Sequence, residues 1–182
     1  MTDKRHRFEQ EALPHLDAAY NLARWLCRST TDAEDVVQEA LLLAYRRFDT
    51  RRGASAKPWL LAIVRNCYLS SVRRTAPRER LTDPLAADDE SMTPRALVST
   101  DDPERALIEA DQARTVDEAL GLLPADYREV LVLRELEELS YREIATVTGV
   151  PIGTVMSRLA RARAALKARW SQAVGGTDDA LP

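Results

Sequence analysis

Residues 139–166, LSYREIATVTGVPIGTVMSRLARARAAL, leave the backbone few choices. Ser140, followed three residues later by Glu143, is a capping box that starts a short helix, and Gly149 stands where a left-handed residue usually ends one. Pro151 has no amide with which to continue the hydrogen-bond ladder, so a second helix from about Ile152 must leave at an angle. Along it Val155, Leu159, Ala162 and Leu166 form one apolar stripe, which puts Thr154, Ser157, Arg158 and Arg161 on the outward side. Short polar groups at a helix start, with arginines one and two turns on, suit a reader of the DNA major groove. An αα-hairpin with a solvated basic face has the same pattern, and the spacing by itself leaves both open.

A net charge of −3 does not decide between them, because binding is local. Lys57 to Arg80 holds six basic residues and one acidic, and Arg158 to Arg169 holds five basic and none acidic. Between these patches, from Asp83 to Asp126, twelve acidic residues face three basic ones. The overlapping segment from Arg74 to Arg105 holds Pro77, Pro84, Pro94 and Pro103 among Asp, Ser and Thr and keeps no helical period, the marks of a flexible linker. With only six glycines and few β-branched runs in 182 residues, the expectation is an all-α protein. Its two small helical domains span residues 1–75 and 103–172, joined by a linker over 76–102 and followed by a tail over 173–182. A tether of that kind would hold the two domains only loosely.

In the first part, FEQEAL and HLDAAYNLARWLCR flank Pro14, which predicts two helices or one kinked helix. Thr31 with Glu34 reads as a capping box for the next, whose inward stripe is Ala33, Val37, Ala40, Ala44 and Phe48. Asp35, Gln38, Glu39 and Leu42 fall at i, i+3, i+4 and i+7 on another face, which suits either a docking surface or a solvated face with one stray leucine. Further on, KPWLLAIVRNCYLSSVRR sets Trp59, Ile63, Asn66 and Arg73 near one side of a helix. Trp59 is by default a core residue. Arg65, Asn66, Tyr68, Arg73 and Arg74 nevertheless combine a hydrogen-bonder, an aromatic ring and phosphate partners, a set that suits unstacked single strands.

Several functions are excluded. No apolar run approaches the ~20 residues of a membrane span, and the first residues lack the apolar centre of a secretion signal, so a cytoplasmic protein without membrane insertion is expected. Cys27 and Cys67, with His6 and His15, make neither a disulfide framework nor a metal site, and no nucleophile constellation suggests an enzyme or a cofactor. The two thiols are expected to be buried.

The stretch LPADYREVLVLRELEELSYREIATVTGVPIGTVMSRLARAR closely resembles the fourth region of bacterial extracytoplasmic-function (ECF) sigma factors. DAEDVVQEALLLAYRRF is similar to their second-region helix for core polymerase, and KPWLLAIVRNCYLSSVRR to their promoter-melting segment. The resemblance implies a protein that binds core RNA polymerase through the β′ clamp helices and the β flap, selects promoter DNA and answers to an anti-sigma factor. It implies β′ contacts for Asp35, Gln38 and Glu39, with Leu42 on the same face. Asn66 matches the loop position that captures a flipped base of the minus-10 element, with Trp59, Arg65, Tyr68, Arg73 and Arg74 beside it. Arg134 matches an arginine that contacts the DNA backbone. Met156, Ser157, Ala160 and Arg161 occupy minus-35 reading positions, flanked by Thr154 and Arg158. Met156 departs from the Lys or Arg that many relatives carry, and an apolar contact with a thymine methyl would take the place of a polar one.

Two rivals share parts of the pattern. A two-component-type activator would need an αβ receiver domain upstream, yet no apolar strands ending in acidic residues occur there. A sigma mimic that only sequesters an anti-sigma factor has no need of reading residues, whereas Asn66, Arg158 and Arg161 are all kept.

Overall fold

The computed structural model describes residues 2–27, 29–51, 55–79 and 118–175, and every regular element among them is helical. The first unit comprises α1 (Thr2–Glu11), α2 (Leu16–Leu26), α3 (Thr30–Arg47) and α4 (Ala56–Glu79). Pro14 sits in a short 3-10 turn, Leu13–His15, so the first of these patterns is two helices rather than one. The second unit holds a helical turn at 118–121, α5 (Ala125–Leu131), α6 (Tyr141–Thr148) and α7 (Ile152–Gly175). Helix α4 runs past the expected domain end at residue 75, and the rest of the acidic linker lies outside the described residues, as does the tail from residue 176.

The local signals around residue 140 behave as expected. The Ser140 hydroxyl accepts from the Glu143 amide, while the Glu143 carboxylate accepts from the Ser140 amide at 2.8 Å and from its hydroxyl at 2.7 Å. Gly149 closes α6 at φ 70, a backbone that costs a side-chain-bearing residue ~1–2 kcal/mol. The start of α3 differs from expectation: Ser29 is the cap, accepting from the Asp32 amide at 3.3 Å. Ser29 is the residue with the extended backbone that a cap requires, whereas Thr31 already lies inside the helix. The second unexpected feature is a π-helical segment, Val132–Leu136, that continues α5 and is followed two residues later by Glu138, a non-glycine residue at φ 56.

In the first unit the stripe Ala33, Val37, Ala40, Ala44 and Phe48 is buried, as the spacing predicts, with Leu22, Leu60, Leu61 and Val64 opposite it. Aromatic rings close one end: Phe8 meets Tyr45 and Phe48 edge-on at 5.3 and 5.4 Å, and Phe48 meets Trp59 at 6.1 Å. In the second unit Val155, Leu159 and Ala162 of α7 are buried against Val130, Leu133 and Ile144, while Leu166 is half-buried.

The two units also pack on each other. Helix α4 lies against α6, and α2 lies against α5 and the π segment, so that one apolar core runs through both. A loose tether therefore does not describe their relation. Arg128 helps to join them: its guanidinium donates to the carbonyls of Leu120, Gly121 and Leu123 in its own unit and to the Trp25 carbonyl across the seam, at 2.8 to 3.1 Å.

Replacing the cap with Ser140→Ala is expected to cost about 1 kcal/mol at neutral pH, read from urea unfolding followed by circular dichroism. The Ser140 hydroxyl and amide hold the Glu143 carboxyl below its usual value. A depressed folded value means stabilisation that is present above the unfolded value of about 4.3 and lost as pH falls through the folded one. The stability gap between the native protein and Glu143→Gln should therefore narrow below about pH 4. A gap that stays constant down to pH 3 would contradict this account of the cap.

Candidate functional site

Three helical surfaces carry the residues singled out from the sequence. On α3, Asp35, Gln38, Glu39 and Leu42 are all exposed along one face, and Leu42 is 63% exposed although its helix buries an apolar stripe elsewhere. Glu39 reaches Arg74 of α4 at 3.1 Å. That pair lies in water and is worth at most about 1 kcal/mol, so either partner can exchange it for another charge.

Asn66 lies within helix α4, not in a loop. Its side chain is exposed, as are those of Arg73 and Arg74 about two turns on, so a hydrogen-bonding amide and two guanidinium groups share one side. Trp59 and Tyr68 are only half-exposed and pack against the core, with the Arg51 guanidinium 5.9 Å over the Trp59 ring. Arg65 points elsewhere. Its Nε donates to Glu129 of the second unit at 2.6 Å, and Glu129 is 4% exposed. Burial raises the Glu129 carboxyl above its usual value, and the hydrogen bond from Arg65 works in the opposite direction.

On α7, Met156, Ser157, Ala160 and Arg161 are exposed together, with Met156 at 52%. Thr154 is half-buried. Arg158 does not face freely outward as its spacing predicts: it pairs with Asp126 at 2.7 Å and braces α7 against α5. Arg134 is likewise engaged, donating to the Leu139 carbonyl at 2.8 Å and lying 5.2 Å over the Tyr141 ring. Both guanidinium groups thus hold the helix-turn-helix in shape in this arrangement.

The seam between the units holds residues that the sequence reading passed over. Lys57 donates to the Glu137 carbonyl at 2.8 Å and pairs with its carboxylate at 2.9 Å, and Asn21 approaches the same carboxylate at 3.4 Å. Glu137, like Glu129, is 4% exposed. The one sequence signal for this was the run Val130–Leu133, four consecutive apolar residues, all buried. A helix apolar on every side is enclosed on every side, and an acid beside it needs a partner.

Among the described residues, no group of His, Cys, Asp and Glu could hold a metal ion, and no helix is long and apolar enough to cross a membrane. Cys27 and Cys67 are buried free thiols.

The two helical units, the second with a helix-turn-helix, correspond to two matched sigma-70 regions. The family model for Sigma-70 region 2 matches residues 13–78, and that for Sigma-70, region 4 matches residues 113–166. The chain is 41% identical over 137 residues to the RNA polymerase sigma-H factor of Pseudomonas aeruginosa, covering 74% of this chain and 71% of that one. It is 40% identical over 147 residues to the ECF RNA polymerase sigma-E factor of Haemophilus influenzae, covering 78% and 75%. Among solved structures, the sigma factor RpoE of Bartonella quintana, in complex with the anti-sigma factor NepR, superposes with a TM-score of 0.74 at 31% identity, over 89% of this chain and 95% of that one. The chain belongs to the ECF sigma factors of the sigma-70 family. Such proteins are transcription initiation factors and not enzymes.

Burial pushes the Cys27 thiol up to about 11 and raises that of Cys67 as well, so both stay protonated at neutral pH. Alkylation of Cys27 in the native protein by iodoacetamide at pH 7.5 is expected to be ~100-fold slower than in urea, and that of Cys67 slower too, because the thiolate is the reacting form. Labelling at the unfolded rate would show that these sites open or are charged.

Proposed function

We propose that this chain binds core RNA polymerase through α3, engages the melted minus-10 strand through α4 and reads the minus-35 duplex through α7. The observation that carries the reading is that three separate faces stay exposed on helices whose other sides are core: Asp35, Gln38, Glu39 and Leu42; Asn66, Arg73 and Arg74; and Met156, Ser157, Ala160 and Arg161. A leucine set among carboxylates suits a mixed apolar and basic protein surface, here the polymerase β′ clamp helices. An amide beside guanidinium groups suits an extruded base and its flanking phosphates. On α7, Arg161 supplies a forked donor for a guanine edge or a phosphate, and Met156 an apolar contact for a thymine methyl. The β flap is the expected polymerase contact of the second unit. The chain works in the cytoplasm on this reading, because the polymerase does.

An anti-sigma factor completes the set of partners. The structural likeness to RpoE, determined with NepR bound, supports a partner of that class here. Such an inhibitor would compete for the faces used by polymerase and promoter.

The Asp35→Lys/Glu39→Lys double variant should lose core enzyme in a pull-down while keeping its helical circular dichroism, since both side chains are outside the buried stripe. Normal recovery of core enzyme would refute the α3 assignment.

Asn66→Ala should leave core binding nearly unchanged and reduce open-complex formation, because base capture offsets an unstacking cost of a few kcal/mol. Permanganate reactivity of promoter thymines in the holoenzyme measures this. Undiminished reactivity would remove Asn66 from the melting step.

A further inference from the structure

We propose that Arg47, the last residue of α3, is a further contact for the melted strand, holding a phosphate that flanks the base taken by Asn66. The proposal rests on the reading of α4 as the single-strand contact. It starts from a shortage of cations beside Asn66. Arg65, expected there from the sequence, is turned to Glu129 of the second unit, and Arg74 is paired with Glu39. Arg73 is exposed, but seven residues, or ~10 Å, along α4 from Asn66. An extruded base keeps a phosphate on each side of its sugar, and a guanidinium is the side chain best suited to hold one.

Two contacts fix how α3 and α4 lie. Phe48 meets Trp59 at 6.1 Å and Glu39 meets Arg74 at 3.1 Å, so the helices run antiparallel. Arg47 falls between these contacts on the α3 side, and Asn66 falls between them on α4. Counted from the Glu39–Arg74 pair, each lies eight residues along its own helix, ~12 Å, so the two come abreast. Cys67, next to Asn66, is buried. Burial raises its thiol, and the charges of Glu39, Arg74 and Arg47 act on it as well, which agrees with that register.

The neighbouring Arg46 has a different orientation. It comes four residues after Leu42 and seven after Glu39, on the face given to polymerase. Arg47 comes three residues after Ala44 and seven after Ala40, on the stripe that is buried where other helices cover it. At Arg47 the helix ends and the side chain is exposed. Among the described residues no ion pair or hydrogen bond engages its guanidinium. Charge in a last turn also complements the helix dipole, a role that Arg46 fills equally well and that involves no strand.

Holoenzyme formed with the native chain, Arg47→Gln or Arg47→Lys would be titrated with a fluorescent single-stranded oligonucleotide carrying the non-template minus-10 strand of a promoter that it opens, over a range of salt. Arg47→Gln should bind about tenfold more weakly, as the loss of one charged hydrogen bond implies. It should also flatten the slope of log affinity against log salt by ~0.7. Arg47→Lys should keep the slope and recover part of the affinity, since it retains the charge without the fork. A methylphosphonate placed at each position of the strand in turn removes one phosphate charge. Beside the captured base it should weaken binding by the native holoenzyme and leave Arg47→Gln almost unchanged. Equal sensitivity of the two at every position, or a lowered unfolding midpoint with native affinity and slope, would reduce Arg47 to a helix-end charge and overturn the proposal. If Asn66→Ala still weakens binding in that case, α4 stands as the strand contact without Arg47. If Asn66→Ala has no effect either, the reading of α4 falls and the proposal with it.

Discussion

Helix α4 is enclosed on two sides, and the arrangement of the whole protein depends on that. Leu60, Leu61, Ile63, Val64 and Cys67 are all buried, a set too broad for one neighbouring helix to cover. Helices α2 and α3 cover one side and α6 covers another. Leaving α4 packed only on the first unit would return part of this apolar surface to water, at roughly 25 cal/mol for each Å². The hydrophobic effect therefore draws the units together whatever the length of chain between them.

Burial on that scale brings charged groups with it, and their pairing decides the register of the join. Glu129 and Glu137 can leave water only where Arg65 and Lys57 wait for them, so a shift of one helical turn would strand two carboxylates in an apolar seam. The pairs make the contact specific without making it permanent. Their cations have alternative partners in any polyanion, and the separated units would return all four groups to solvent.

Much of the protein was legible along the chain. The capping box at Ser140 and Glu143, the left-handed Gly149 and the turn at Pro151 involve groups within a few residues of each other, so spacing alone is sufficient. The inward stripes of α3 and α7 follow from the helical period. The start of α3 was misread. The spacing pointed to Thr31 with Glu34, but the helix begins at Thr30 and the extended backbone at Ser29 makes Ser29 the cap. The reading residues divided in the same way: Asn66, Arg73, Met156, Ser157, Ala160 and Arg161 are exposed, whereas Arg65, Arg134 and Arg158 turned to partners of their own chain.

By itself the sequence determined the helices, the cap of α6 and which face of α3 and α7 is apolar, because each depends on hydrogen bonds and periodicities that close within one or two turns. Only the tertiary structure decided the seam between the units and the partners of Arg65, Lys57 and Arg158. A long flexible cation has many reachable positions, and the carboxylate that selects one of them can stand anywhere along the chain. For Arg65 it is 64 residues away and is placed there by the burial of α4.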